Sequence, residues 1–276
     1  MAEKETKNNP KDLIEPVPEE IAKLEQELAK LPQAESLPIA PVAAARDWRA
    51  RREKDPEAER QRVLEAWIPK TALGKMVKAG QEKNLDKVLA GGRKVLEPEI
   101  IDALVRLESD LLLVGQAKGK FGGGKRRAWR QTQKKTMEGN VVTFSAMAVV
   151  GDKKGHVGIG YGKSKETLPA RAKAVRHAKL NVLRINVGYE SPDEKKLGAE
   201  PHTVPFIVQG KCGSVRIKLI PAPRGTGLVV GNEVKKILRL AGIKDVYGVS
   251  SGQTRTTFNV AKACIDALQK TTEMKL

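Results

Sequence analysis

Residues 140–185, "NVVTFSAMAVVGDKKGHVGIGYGKSKETLPARAKAVRHAKLNVLRI", change their apolar period once, and that change sets the fold class. The first run alternates, with Phe144, Ala146, Ala148 and Val150 on one side, as a half-buried strand requires. "GDKKG" at 151–155 is turn chemistry. The chain then returns as a second strand, with Val157, Ile159 and Tyr161 on one side and glycines between them. From Glu166 the spacing becomes helical. Pro169 suits a first turn, and Leu168, Ala172, Val175 and Val182 are expected to line a core face. Arg171, Lys173, Arg176 and Lys179 then form a basic face on the other side.

Working outward, "GYESPDEKKLGAEPH" separates this unit from a second one. Strands are expected at "TVPFIVQG" (203–210) and "GSVRIKLIP" (213–221). A helix follows at "GNEVKKILRLAG" (231–242), capped by Asn232, with Val234, Ile237, Leu238 and Ala241 inward. A strand near "KDVYGVS" (244–250) and a helix at "NVAKACIDALQK" (259–270) complete it. The expected fold class is α+β: an N-terminal double-stranded-RNA-binding-like domain, then a C-terminal α/β two-layer sandwich, preceded by a helical, partly extended N-terminal arm. The expected boundaries are an arm at 1–60, a helical extension at 61–114, a first domain with its basic loop at 115–188, and a second at 189–276. Within the arm, "PEEIAKLEQELAKL" places Ile21, Leu24, Leu28 and Leu31 on one stripe, and a further helix is interrupted or capped near Asp55-Pro56. So little apolar surface predicts an arm that orders only on docking. "NLDKVLAGGRKVLEPEIIDALV" predicts two short helices around Gly91-Gly92.

Charge narrows the function. The chain of 276 residues holds 51 Lys and Arg against 33 Asp and Glu, a formal +18. Residues 1–60 carry 11 basic and 14 acidic side chains, which leaves 40 and 19, a net +21, to the remainder. A folded body this basic repels itself unless a polyanion screens it, and nucleic acid is the expected polyanion. The densest segment is 115–140, "GQAKGKFGGGKRRAWRQTQKKTMEGN", with eight Lys/Arg, a single acid, three consecutive glycines, and Phe121 and Trp129 interleaved. It reads as a flexible basic loop that follows a phosphate backbone and stacks on exposed bases.

Other classes are poorly supported. "GKS" at 162–164 lacks the earlier glycine of a Walker loop, since Val157 stands there. The strand glycines are expected instead to admit a close backbone approach, by RNA for example. "IPAPRGTGLVVGNE" (220–233) looks like the phosphate loop of one superfamily of small-molecule kinases, but Val229 and Val230 replace its hydroxyl side chains. No catalytic residue, metal site or cofactor is expected. Cys212 and Cys264 have no Cys-x-x-Cys spacing and read as small buried residues. His156 is expected at a turn, facing solvent or a phosphate, His177 among helix cations, and His202 as a structural hydrogen-bonder. No apolar run reaches membrane length and the N-terminus has no signal-peptide core, so a cytoplasmic protein is expected.

Three long stretches carry a resemblance: residues 140–182, "PHTVPFIVQGKCGSVRIKLIPAPRGTGLVVG" and "AGIKDVYGVSSGQTRTTFNVAKACIDAL". They resemble the protein-five family of the small ribosomal subunit, and "WIPKTALGKMVKAGQ" and "LEPEIIDAL" are similar to the extension of its archaeal and eukaryotic branch. The resemblance covers roughly residues 64–270. It implies a non-enzymatic protein on the solvent side of the subunit, bound to small-subunit rRNA beside ribosomal proteins three and four. It also implies a place at the channel through which mRNA enters, with roles in unwinding structured messenger and in decoding accuracy. A free RNA-binding assembly factor shares every basic feature and is the alternative; the kinase is a distant third. In the family, a loop before the first long strand reaches rRNA, which falls here at about Arg130 to Asn140. The expected rRNA contacts are Lys118, Lys120, Lys125, Arg126, Arg127, Trp129, Arg130, Lys134 and Lys135 in the basic segment. Lys153, Lys154, His156, Lys163, Lys165, Arg171, Lys173 and Arg176 follow in the first domain, and Arg224, Gly225, Thr226, Gly227 and Arg255 in the second. "KGKFGGGKRRAW" lengthens the loop beyond the family pattern, and residues 1–60 match nothing in it.

Overall fold

The computed structural model describes residues 56–117, 124, 126–191, 193, 196, 198 and 200–273. The stripe expected at 18–31, and the expected contacts Lys118, Lys120 and Lys125, lie outside the described residues. Four helices come first: α1 (Pro56–Ala66), α2 (Ala72–Lys78), α3 (Leu85–Ala90) and α4 (Pro98–Leu104). A first sheet follows, from β1 (Glu108–Leu111), β2 (Trp129–Thr136), β3 (Gly139–Gly151) and β4 (His156–Ser164), through helix α5 (Thr167–Leu180), to β5 (Val182–Arg184). The second sheet comprises β6 (Val208–Cys212), β7 (Val215–Pro221), β8 (Leu228–Val229) and β9 (Val246–Ser251), with helix α6 (Asn232–Ala241) before β9 and α7 (Thr257–Glu273) after it.

The 13 residues of β3 give it room for two antiparallel partners end to end on one edge. β2 pairs along Gly139–Ala146 and β1 along Ala148–Gly151, while β4 takes the other edge and β5 lies beyond it. Residues 129–136 and 139–140 of the expected basic loop are therefore strand. Trp129–Thr136 turns through Met137 and Glu138 and pairs back, Thr136 opposite Gly139. Gly139 has φ +117, which a side chain resists.

Both faces of β3 are buried, which explains its unbroken apolar run. Ala146, Ala148 and Val150 join α5 and the N-terminal helices in one core, whereas Met147 and Val149 join the core of the second sheet. The helix register differs from expectation. Ala170, Ala174 and Ala178 are the buried residues of α5, whereas Leu168 is 72% exposed and Ala172 is exposed. The glycines of β4 explain the change. A methyl added at Gly158, Gly160 or Gly162 would stand 2.3, 2.1 or 2.2 Å from backbone atoms of Ala178, Ala178 and Ala170. The close approach that these strand glycines permit is made by α5, not reserved for RNA.

The second sheet runs β6-β7-β9-β8, with β8 parallel to β9. Helix α7 packs on β6 and β7 and α6 packs on α7. The strand expected at 203–210 pairs within this sheet only from Val208. Pro205 lacks the N–H a ladder needs, and Thr203 bridges Gly188 instead. Gly231 occupies the cap position of α6 and Asn232 its first turn, while Val234, Ile237, Leu238 and Ala241 are buried as expected. The two sheets meet at the β3–β4 turn. Lys153 N–H donates to Leu240 O (2.9 Å) and Gly155 N–H to Ala241 O (3.1 Å), so this turn caps the C-terminus of α6.

Gly160→Ala is expected to destabilise the protein by about 3 kcal/mol or more, because backbone rather than a flexible side chain meets the new methyl. That corresponds to a drop in melting temperature of roughly 6–12 °C. Gly231→Ala meets nothing within 4 Å and should cost under about 1 kcal/mol. Equal melting temperatures for the two variants would refute the strand–helix contact as the source of the constraint.

Candidate nucleic-acid interface

Sheet register decides which expected contacts meet. Arg130 lies opposite Ser145, and Ser145 opposite Lys163, so the two cations share a row across β2, β3 and β4. Arg130 also lines a cavity of about 580 Å³ together with Arg126, Arg255 and Phe258. Phe258 is fixed edge-on against Tyr161, with ring centroids 5.4 Å apart. The neighbouring row places Trp129 opposite Ala146 and Gly162, on the face covered by α5. There the Arg171 guanidinium lies 4.7 Å from the Trp129 ring centre, a cation–π contact. That Trp129 face is occupied within the protein, so the ring is not free on both sides to stack on a base. Lys134 and Lys135 stand exposed near the hairpin tip.

The remaining expected contacts divide. Lys165 and Lys173 are exposed. Arg176 faces Glu99 at 3.9 Å, and beside it Lys179 binds Asp102 at 2.6 Å. Helix α4 thus takes up part of the basic face of α5. Lys153 and Lys154 sit on the β3–β4 turn, where Lys153 adopts φ +62 and pairs with Glu108 at 2.6 Å. Arg127 lies beside Trp129 and Arg130 in a smaller cavity.

In the glycine loop, Gly225 and Gly227 have φ +84 and +72. Thr226 N–H donates to Pro223 O (3.3 Å) and Gly227 N–H to the Asp245 carboxylate (2.7 Å). Two of the amides expected to receive a phosphate are therefore taken internally. Arg224 also donates to Glu200 O at 2.7 Å. His202 holds this region through its backbone, its carbonyl accepting from Lys244 and Asp245 N–H. Its buried ring nitrogens have no hydrogen-bond partner among the described residues, contrary to the expected role. His177 Nδ1 donates to Tyr161 O at 2.7 Å. Cys264 is fully buried, its thiol pushed up to about 12 by burial, whereas Cys212 is only half-buried.

His156 corrects the sequence reading most clearly. Its side chain is 12% exposed and both ring nitrogens face carboxylates: Nδ1 to Asp152 at 2.6 Å and Nε2 to Asp86 at 3.0 Å. Such a ring offers a phosphate no donor. Instead it ties α3 to the β3–β4 turn, with Arg184 also on Asp86 at 3.3 Å. The hydrogen bond to Asp152 raises the His156 pKa above its ordinary value, against the opposing effect of burial. Burial pushes the Asp152 carboxyl up, but hydrogen bonds from His156 and from the Lys154 and His156 amides outweigh it and hold the pKa below its usual range. Glu97 anchors the N-terminal helices in a similar way, accepting from Trp67 Nε1 (2.7 Å) and from the Lys70 and Thr71 amides (3.0 and 2.6 Å).

Reading for runs of basic residues missed Lys235, Arg239 and Lys244, which flank Lys153 and Gly227 in a further groove. The available signal was the four-residue spacing of Lys235 and Arg239 on one helix. Among the described residues no group of three His, Cys, Asp or Glu is placed to hold a metal, and no helix is long and apolar enough to cross a membrane.

The raised His156 pKa gives a pH signature. Stability from the charged ring is fully present below about pH 6.5, the unfolded value, and is lost as pH rises through the folded value. The melting-temperature advantage of the unsubstituted protein over His156→Asn should therefore shrink as the pH rises from 6 to 9. An advantage that stays constant or grows over that range would refute the charged bridge.

The sequence comparisons converge on one family. The family model described as "Ribosomal protein S5, N-terminal domain" matches residues 128–186, and that described as "Ribosomal protein S5, C-terminal domain" matches residues 210–275. The chain is 45% identical over 214 residues to small ribosomal subunit protein uS5 of Nanoarchaeum equitans, covering 77% of this chain and 91% of that one. Against uS5 of Methanococcus maripaludis strain C6 it is 43% identical over 221 residues, covering 79% and 89%. Against that of Pyrobaculum calidifontis it is 44% identical over 214 residues, covering 77% and 98%. Relatives this similar over nearly their whole length show that the chain belongs to the uS5 family of small ribosomal subunit proteins.

Proposed function

We propose that this chain is a structural, non-enzymatic constituent of the small ribosomal subunit that holds rRNA through the sugar–phosphate backbone. The carrying observation is the group formed by Arg130 and Lys163 in one row of the first sheet with Arg126 and Arg255 beside it. Four cations at one place neutralise several phosphates together, and guanidinium groups do so bidentately. A-form RNA hides its base edges in a deep narrow groove, so shape and backbone contacts dominate over base reading. The exposed Lys134 and Lys135 extend this surface along the hairpin to rRNA beyond the body of the protein.

The reading uses a double-stranded-RNA-binding-like domain at 115–188 and a two-layer α/β sandwich at 189–276, preceded by the extension at 61–114 and the arm at 1–60. Separate family matches to 128–186 and 210–275, and a helix packed against each sheet, support it. Proteins three and four of the subunit are the proposed neighbours. Messenger RNA at the entrance of its channel is the further proposed partner, with an influence on decoding accuracy.

Sedimentation of a lysate through sucrose at moderate and high salt tests the assignment. Blotting should find about one copy per small subunit, retained through the high-salt wash. Protein only at the top of the gradient, or only on precursor particles, would overturn it, the latter favouring an assembly factor. Within the assignment, Lys134→Glu with Lys135→Glu should reduce incorporation into subunits more than Lys23→Glu with Lys30→Glu. Equal effects would refute the hairpin contact.

A further inference from the structure

A groove of about 510 Å³ lies between the β3–β4 turn and helix α6, about 20 Å along β3 from the Arg130 row at six residues of about 3.3 Å each. Lys153, Lys235, Arg239 and Lys244 line it, over a floor that includes Gly227 and Gly242, and no carboxylate lines it among the described residues. The four cations come from three separate segments, which only the folded chain brings together.

Lys235 and Arg239 stand four residues apart on α6 and have no acidic partner among the described residues. Like charges at that spacing repel on a helix surface, so the pair costs stability unless an anion meets it. Lys153 pairs with Glu108 at 2.6 Å and Lys244 with Glu200 at 3.6 Å, but each side chain in both pairs is half exposed or more. Water-screened pairs of this kind are weak and yield to a phosphate.

A helix C-terminus ordinarily repels anions, because its last carbonyls are unsatisfied. Here those of Leu238, Arg239, Leu240 and Ala241 accept from the N–H groups of Ile243, Gly242, Lys153 and Gly155. The cap that joins the two sheets thus also covers the negative end of the helix dipole. Gly227 adds no side chain to the floor, and a methyl placed there would meet nothing within 4 Å, so a nucleic-acid backbone has room to approach.

We propose that this groove is a second RNA-binding site, which takes a sugar–phosphate backbone with Lys235 and Arg239 on phosphates and Lys153 and Lys244 at its margins. The site rests on the reading of the chain as an rRNA-binding protein, and adds a contact separate from the hairpin. It is rigid because the turn carrying Lys153 is hydrogen-bonded to the helix carrying Lys235 and Arg239.

The test uses the full chain and Lys235→Gln with Arg239→Gln, whose folding is checked by thermal melting. Binding is followed by fluorescence anisotropy against transcribed small-subunit rRNA, poly(U) as an unstructured messenger, and polyglutamate as an acidic peptide. Removing two phosphate contacts should lower rRNA affinity and reduce the slope of log K against log salt by about 1.4–1.8. If the variant melts early, Lys244→Gln carries the test, with a slope change of about 0.7–0.9. A loss confined to rRNA assigns the groove to the subunit's own RNA, and an equal loss on poly(U) assigns it to single strands such as messenger. Unchanged affinity and slope on both RNAs would overturn the proposal, as would a loss seen only with polyglutamate. Lys134→Gln with Lys135→Gln separates the two readings: if it weakens rRNA binding while the groove variants do not, only the groove fails. If neither does, the rRNA-binding reading fails as well.

Discussion

Backbone contact between β4 and α5 governs the rest of the structure. Gly158, Gly160 and Gly162 leave no space between strand and helix, and backbone atoms of the buried Ala170, Ala174 and Ala178 meet them directly. The helix therefore lies closer to the sheet than leucine or valine side chains would allow. That closeness fixes its rotation, sends Leu168 outward and places Arg171 beside Trp129. It leaves Met147, Val149 and Val157 on the other face of the sheet to build a second core with β7, α6 and α7.

A sheet buried on both sides has little surface left for ligand. Its accessible parts are the hairpin, the row through Arg130 and Lys163, and the β3–β4 turn. The first two use the Gly139 half of β3 and the last its Gly151 end, so one long strand separates two cationic regions. Between them the N-terminal helices are tied on by carboxylates, through Glu97 within the layer and Asp86 across to His156.

Much of this was legible in the chain. The alternation around Phe144–Val150 and the helical spacing after Glu166 identified the central hairpin and α5, and the basic excess pointed to a polyanion. The helix face was misread because apolar size was weighed, whereas burial here follows the smallest side chains, matched to glycines on another element. β2 escaped because "WRQTQKKT" has no apolar alternation: both its faces are largely exposed, and only pairing with β3 makes it a strand. His156 looked like a phosphate ligand because Asp86, 70 residues away, gives no local signal. For the same reason Asp245 was not seen to claim the Gly227 amide, 18 residues earlier.

Among the described residues β2 is paired along one edge only, so its other edge presents N–H and C=O groups. On a chain waiting to be incorporated into a particle, such an edge is a template on which a second copy can add a strand. Arg130, Lys134 and Lys135 make that addition repulsive, since a second copy would bring the same charges alongside. Basic residues read as RNA contacts thus also act as gatekeepers against self-association. Replacing them by neutral β-formers would expose the protein to aggregation before it ever met RNA.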